Sequence, residues 1–110
     1  MGRMVAGFLP FVLSFALFLA IAQAQDTVKI GVILPLTGPN AMIGQEEKRG
    51  IEMAIEKINA AGGALKKKVE LITEDNRGDP TVIVSAAEKL ITHDKVVALT
   101  GGYSSVESLA

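Results

Sequence analysis

Two serines near the end of this 110-residue sequence are the side chains best placed to bind a ligand. They lie in Gly101-Gly102-Tyr103-Ser104-Ser105, between a predicted strand and a predicted helix. Ser104 and Glu107 have capping-box spacing, so we interpret Ser104 as the helix N-cap. The hydroxyl of Ser105 is not needed for the cap, and it could join the free N–H groups of the helix N-terminus in holding an anion. A solvent-facing helix residue would have the same spacing, so both interpretations of Ser105 stay open at this point.

The composition favours a small carboxylate as that anion. Neither Gly101 to Ser105 nor Leu36 to Gly44, the loop expected beside it, contains Lys or Arg, which suits a carboxylate better than a polyphosphate. The formal net charge of -1 argues against nucleic acid as a partner. The absence of Cys excludes a disulfide framework, a thiolate metal site and a thiol nucleophile. We expect no metal and no cofactor.

The sequence gives little support to an enzyme. His93, the only histidine, is predicted at the end of the second helix, where a cation is favourable without any catalytic role. Glu74 and Asp75 are adjacent and point to opposite sides of a strand, so they do not form a catalytic carboxylate pair. The segment after the first strand, Pro35 to Pro39, lacks the Gly-x-Gly-x-x-Gly pattern of dinucleotide-binding enzymes. These observations predict a binding protein.

Strands and helices alternate in the elements that must position the serines. Three buried strands are predicted, at Val28 to Pro35, at Val69 to Ile72 with an extension to Asp75 left open, and at Lys95 to Thr100. Helices are predicted between them and from Ser104 onwards. Crossover helices of this length require parallel strands, which gives a doubly wound α/β sheet in the order 2-1-3. Ligands bind such sheets at the carboxyl ends of the strands, where the two loops named above converge.

The apolar period predicts which helix faces are buried. For the first helix, from about Ala41 to Ala61 and ended by Gly62-Gly63, the predicted face holds Ile43, Glu47 at its edge, Gly50, Ile51, Ala54, Ile55 and Ile58. Gly50 on this face predicts a close approach of helix and sheet. The second helix begins with Asp79 as N-cap and Pro80, and it is predicted to bury Ile83, Ala87, Leu90 and Ile91. The run Lys66-Lys67-Lys68 is interpreted as a solvated turn.

Residues 1–24 are predicted to be a cleavable signal peptide. Arg3 begins an apolar segment from Phe11 to Ile21, and Ala22-Gln23-Ala24 supplies a cleavage site before Gln25. An uncleaved membrane anchor is the alternative, which Pro10 and the cleavage site disfavour. Because no cysteine is present for lipidation, we expect residues 25–110 to be free in a periplasm.

Several motifs occur in the order found in one known family. The chain resembles the leucine/isoleucine/valine-binding family of periplasmic substrate-binding proteins that serve ABC importers, on Val28 to Val32, Pro35 to Pro39, Ile58 to Gly63, Glu74-Asp75, Gly78 to Pro80 and Gly101 to Ser105. The resemblance implies a longer, two-lobed protein that closes on its ligand, with residues 25–110 as the start of the first lobe. It also implies that Ser105 binds a ligand carboxylate, and we expect Gly102, Tyr103 and Ser104 to shape the cradle around it. Ile43 matches a ligand-contacting position that is often aromatic.

We therefore predict an extracytoplasmic solute-binding component of an ABC importer. Its ligand would be a small carboxylate-bearing solute, with a branched-chain amino acid as the first candidate, and its partner an inner-membrane permease. The alternatives are the ligand-binding domain of a signalling receptor, an exported α/β enzyme and a decayed gene product. Nothing in these residues separates transport from sensing, because the partner surface would lie further along the chain.

Overall fold

Three parallel strands form the centre of the fold in a computed structural model that describes residues 26–109. β1 spans Thr27–Leu34, β2 spans Lys68–Asp75 and β3 spans Ala98–Gly101. Their order is β2-β1-β3, and β1 pairs in parallel with both neighbours. The central place of β1 follows from its apolar end, where Val32, Ile33 and Leu34 are buried. The predicted parallel α/β layer and its strand order are confirmed.

Three helices connect or follow these strands: α1 at Ala41–Ala60, α2 at Pro80–Thr92 and α3 at Ser105–Ser108. The end of α1 is a Schellman motif, in which Gly63 N–H donates to the Ile58 carbonyl at 2.8 Å and Gly62 has a φ of 108°. At the start of α2, the Asp79 carboxylate accepts a hydrogen bond from Thr81 N–H at 2.8 Å. Both boundaries are as predicted.

The face of α1 that packs on the sheet is predicted in part: Ile43, Glu47, Ile51 and Ile55 of the predicted face are half-buried. Gly44 is buried and Ile51, Ile55 and Asn59 are half-buried, whereas Gly50, Ala54 and Ile58 are exposed. The prediction that Gly50 allows close approach is therefore wrong, because a Cβ placed on Gly50 would meet no atom within 4 Å.

Two contacts with the backbone of neighbouring segments determine which face of α1 lies on the sheet. A Cβ on Gly44 would collide with the carbonyl oxygen of Pro35. At Gly44, the helix therefore comes close to the chain just after the end of β1. At the other end, the Asn59 side chain donates to the Val69 carbonyl at 2.9 Å and accepts from Val69 N–H at 2.8 Å. Neither contact involves an apolar side chain, which is why the apolar period alone does not predict the burial of Gly44 and Asn59.

The core lies between β1 and α2. Ile33 packs with Ile83, Ala86 and Leu90, and half-buried Ala87 lies against them. Ile91 is 52% exposed, so its predicted burial is wrong. The spacing of Ile83, Ala86 and Leu90 places one face of α2 on the sheet, and Ile91 lies beside that face.

The third strand begins later than predicted. Lys95 has a φ of 59°, in the left-handed region, which interrupts the extended run that the sequence suggests. Val97 N–H already donates to the Lys29 carbonyl at 2.9 Å, but regular pairing starts only at Ala98. β3 is therefore shorter at its start and one residue longer at its end than the predicted Lys95 to Thr100.

The lysine-rich segment, Lys66 to Lys68, leads from a two-residue hairpin turn into β2. Ala64 and Lys67 exchange backbone hydrogen bonds of 2.8 and 2.9 Å. Leu65 and Lys66 lie between them with φ values of 53° and 62°, the left-handed sign that such hairpin turns require. Lys66, Lys67 and Lys68 are all exposed, in agreement with the predicted solvated turn.

The predicted signal peptide, residues 1–24, lies outside the part of the chain that the structure describes. Within residues 26–109, no helix has both the length and the apolar character needed to cross a membrane.

Candidate functional site

Two glycines bring the start of α3 against the end of β1. Ile33 pairs with Gly101, and Gly102 N–H donates to the Ile33 carbonyl at 2.9 Å. Gly101 and Gly102 have φ values of 112° and 84°, which residues with a Cβ rarely adopt. A Cβ on Gly101 would also collide with the Ile33 carbonyl oxygen. Glycine is therefore required where this loop leaves the carboxyl edge of the sheet.

A variant of the capping box then begins α3, in which the Glu107 side chain bonds the residue before the N-cap. The Ser104 hydroxyl accepts a hydrogen bond from Glu107 N–H at 3.3 Å, and the Glu107 carboxylate accepts one from Tyr103 N–H at 2.9 Å. Glu107 is only 4% exposed, so its carboxylate is committed to this turn. The interpretation of Ser104 as the N-cap is confirmed.

Ser105 is the first residue of α3 and is exposed. The first N–H groups of a helix have no intrahelical acceptor, and the cap satisfies that of Glu107. Among residues 26–109, no acceptor pairs with the N–H groups of Ser104, Ser105 and Val106 or with the Ser105 hydroxyl at this end of the helix. Together they could hold one carboxylate group.

The other predicted site residues come from two elements. Tyr103 is 41% exposed beside the cap. Gly102 lines a pocket of about 260 Å³ with Ile33, Leu99 and Glu107, on the side of the sheet that faces α2. Ile43 is half-buried in the first turn of α1, where its N–H donates to the Asn40 carbonyl at 3.1 Å. Gly102 to Ser105 therefore lie in the segment after β3, and Ile43 lies in the helix that follows the neighbouring loop.

That neighbouring loop, Pro35 to Asn40, is held by a residue for which the sequence predicts no site role, Asp75 at the end of β2. Its carboxylate accepts hydrogen bonds from the N–H groups of Leu36, Thr37 and Arg77 at 2.9, 3.3 and 2.8 Å. It also accepts one from the Thr37 hydroxyl at 2.6 Å. Partial burial raises the pKa of Asp75, but these hydrogen bonds outweigh it and hold the pKa below its usual value.

The remaining ionisable candidates lie away from the serines. Glu74 forms an ion pair with Lys89 of α2, whereas Asp75 faces the loop after β1, so the two carboxylates point to opposite sides as predicted. The His93 side chain is 79% exposed at the end of α2, with Nδ1 3.1 Å from an Asp94 carboxylate oxygen. Among residues 26–109, no group of three or more His, Cys, Asp or Glu side chains is arranged to hold a metal ion.

Comparison with known proteins gives the family. Residues 27–110 match the family model described as periplasmic binding protein. The chain belongs to this family. Membership confirms the resemblance and the parallel α/β fold predicted above, and it agrees with the prediction of a binding protein that is not an enzyme. The family also implies a location outside the cytoplasm.

Three relatives illustrate this similarity. Leu/Ile/Val-binding protein homolog 7 of Brucella melitensis is 36% identical over 95 residues, which are 86% of this chain and 24% of that protein. The branched-chain amino acid transporter substrate binding protein LivJ of Streptococcus pneumoniae, solved in complex with isoleucine, is 34% identical. Its TM-score is 0.73 over 76% of this chain and 24% of that one. A solute binding protein of an ABC transporter from Rhodopseudomonas palustris, solved in complex with 3,4-dihydroxybenzoic acid, is 32% identical. Its TM-score is 0.69 over 77% of this chain and 23% of that one.

The match covers only a part of each relative. The chain spans about a quarter of the length of the curated relatives that it matches.

Proposed function

We propose that this chain belongs to the solute-binding component of an ABC importer, acting in the periplasm and delivering its ligand to an inner-membrane permease. The observation that carries the proposal is the match of residues 27–110 to the periplasmic binding protein family. Export rests on the predicted signal peptide at residues 1–24, with Gln25 as the first residue of the mature protein. The proposed role is capture and release of a solute, without catalysis.

The proposed ligand is a small solute that bears a carboxylate. Two relatives support this class: one was solved with isoleucine and the other with 3,4-dihydroxybenzoic acid. The two ligands have a carboxylate in common and little else. A branched-chain amino acid is the first candidate, since several relatives are named Leu/Ile/Val-binding proteins.

Ser105 is the proposed carboxylate ligand. Its hydroxyl and the first N–H groups of α3 are exposed at the carboxyl edge of the sheet, while Ser104 and Glu107 are occupied by the cap. Such a cradle has no cation of its own, so it suits a single carboxylate better than a phosphate group. Gly102, Tyr103 and Ser104 would shape it, and Ile43 would contact the apolar part of the ligand.

The test compares Ser105→Ala with Ser104→Ala in the intact protein, with calorimetric titration of isoleucine and of 3,4-dihydroxybenzoate. We expect Ser105→Ala to weaken binding by about 1–3 kcal/mol, because a charged group loses one hydrogen-bond partner. Ser105→Ala should leave the free energy of unfolding nearly unchanged. Ser104→Ala should lower it by about 1 kcal/mol through loss of the cap.

Unchanged affinity in Ser105→Ala would remove this residue from the site. If the wild-type protein binds neither probe, the proposed ligand class is wrong. Equal losses of stability in both variants would mean that Ser105 supports the helix and does not serve the ligand.

A further inference from the structure

The Asp75 carboxylate makes more contacts than a local turn requires. An Asp at the end of a strand commonly accepts a hydrogen bond from the N–H group two residues later, as Asp75 does from Arg77 at 2.8 Å. Its three other bonds come from residues 38 or 39 positions away, at Leu36 and Thr37. Both carboxylate oxygens are used, and each accepts at least one bond from this distant loop.

These bonds tie the loop after β1 to the β2 side of the sheet. Thr37 is held by both its N–H group and its hydroxyl. Gly38 lies close to the next turn, since a Cβ on it would be 2.9 Å from the Arg77 carbonyl oxygen. The Gln45 side chain donates to the Leu36 carbonyl at 3.1 Å and connects the loop to α1. The first turn of α1, with Ile43, is thus positioned from the side opposite to β3.

We infer that Asp75 is a positioning residue for the ligand site. Its carboxylate fixes the loop from Leu36 to Asn40 so that the first turn of α1 presents Ile43 at the same sheet edge as Ser105. Asp75 would not touch the ligand. The inference rests on the function proposed above, and it adds a residue from β2 to a site built from the segments after β1 and β3.

The experiment uses the intact protein, four single variants and the double variant Asp75→Asn/Thr37→Val. Asp75→Asn keeps the size and one acceptor oxygen but removes the charge, Thr37→Val removes the hydroxyl donor, and Thr37→Ser retains it. Asp79→Asn is the matched control, because Asp79 is a nearby carboxylate that caps α2 through Thr81. Two quantities are measured: amide hydrogen exchange at Leu36 to Asn40, and the dissociation constant for isoleucine.

We expect Asp75→Asn and Thr37→Val to speed exchange of the loop amides about tenfold and to weaken isoleucine binding by a similar factor, as loss of a charge-assisted hydrogen bond allows. Because both remove the same contact, the double variant should be little worse than Asp75→Asn alone. Thr37→Ser should behave like wild type. Asp79→Asn should leave the loop exchange unchanged, even where it lowers stability.

Two results would overturn the inference: loop exchange in Asp75→Asn equal to that of Asp79→Asn, or faster loop exchange with unchanged affinity for isoleucine. Failure of the proposed function is distinguishable, because it gives a wild-type protein that binds neither isoleucine nor 3,4-dihydroxybenzoate. In that case the exchange measurement still decides whether Asp75 holds the loop.

Discussion

Asp75, Asp79 and Asp94 are single residues that make the fold sensitive to acid. The pKa of Asp79 is lowered by hydrogen bonds from the Thr81 hydroxyl and N–H group, and that of Asp94 by its bonds to Lys89 and His93. For Asp75, the loop hydrogen bonds outweigh the desolvation that raises its pKa. In each case the ionised form is the one that the folded state prefers.

This preference predicts a loss of stability in acid. The folded pKa values lie below the unfolded value of about 3.9, so the contribution is complete above that pH and is lost as the pH falls through the folded values. We expect the free energy of unfolding to decline below about pH 4 in denaturant titrations. The decline should be shallower in Asp75→Asn, which no longer has this group to protonate. A wild-type stability that increases from pH 4 to pH 2 would contradict the assignment.

At the scale of elements, the seating of α1 on β1 depends on one glycine. Gly44 lies against the Pro35 carbonyl, whereas Gly50 in the same helix faces open space. Gly44→Ala should therefore lower the free energy of unfolding by about 1–3 kcal/mol, because the helix must move away from the strand. Gly50→Ala should raise it by up to about 1 kcal/mol, as expected for alanine at an exposed helix position.

Thermal or urea unfolding of the two glycine variants measures both effects. The same substitution in the same helix is thus expected to act with opposite sign. Two stabilising results would mean that α1 does not pack closely on Pro35.

The elements themselves could be predicted well from the sequence, but their contact faces could be predicted only in part. The strands and helices follow from apolar period and turn chemistry, and the ends of α1 and α2 follow from Gly62-Gly63 and Asp79-Pro80. The face of α1 is set instead by Gly44 and by the two hydrogen bonds of Asn59, and these depend on residues that are distant in sequence. For the same reason, the role of Asp75 is invisible to local patterns, whereas the Ser104–Glu107 box is local and is found by its spacing.

For the 110-residue chain as a whole, stability should be unevenly distributed. β1 pairs with β2 over eight positions but with β3 over four, and all four residues of β3 are exposed. Few buried contacts make local opening easy. We expect amide protons of Ala98 to Gly101 to exchange faster than those of Ile30 to Leu34, measured by hydrogen exchange with mass or NMR detection. Equal protection of the two strands would show that the sheet opens as one unit.

Tyr103 has an optical consequence for the whole molecule. It is the only tyrosine in the sequence, there is no tryptophan, and it lies half-exposed beside the cap of α3. Any tyrosine emission from this chain therefore arises within two residues of Ser105. Its intensity, lifetime and quenching by iodide would report solvent access at the start of α3, without a label or a substitution. The chain has its own fluorophore at the place where the ligand carboxylate is proposed to bind.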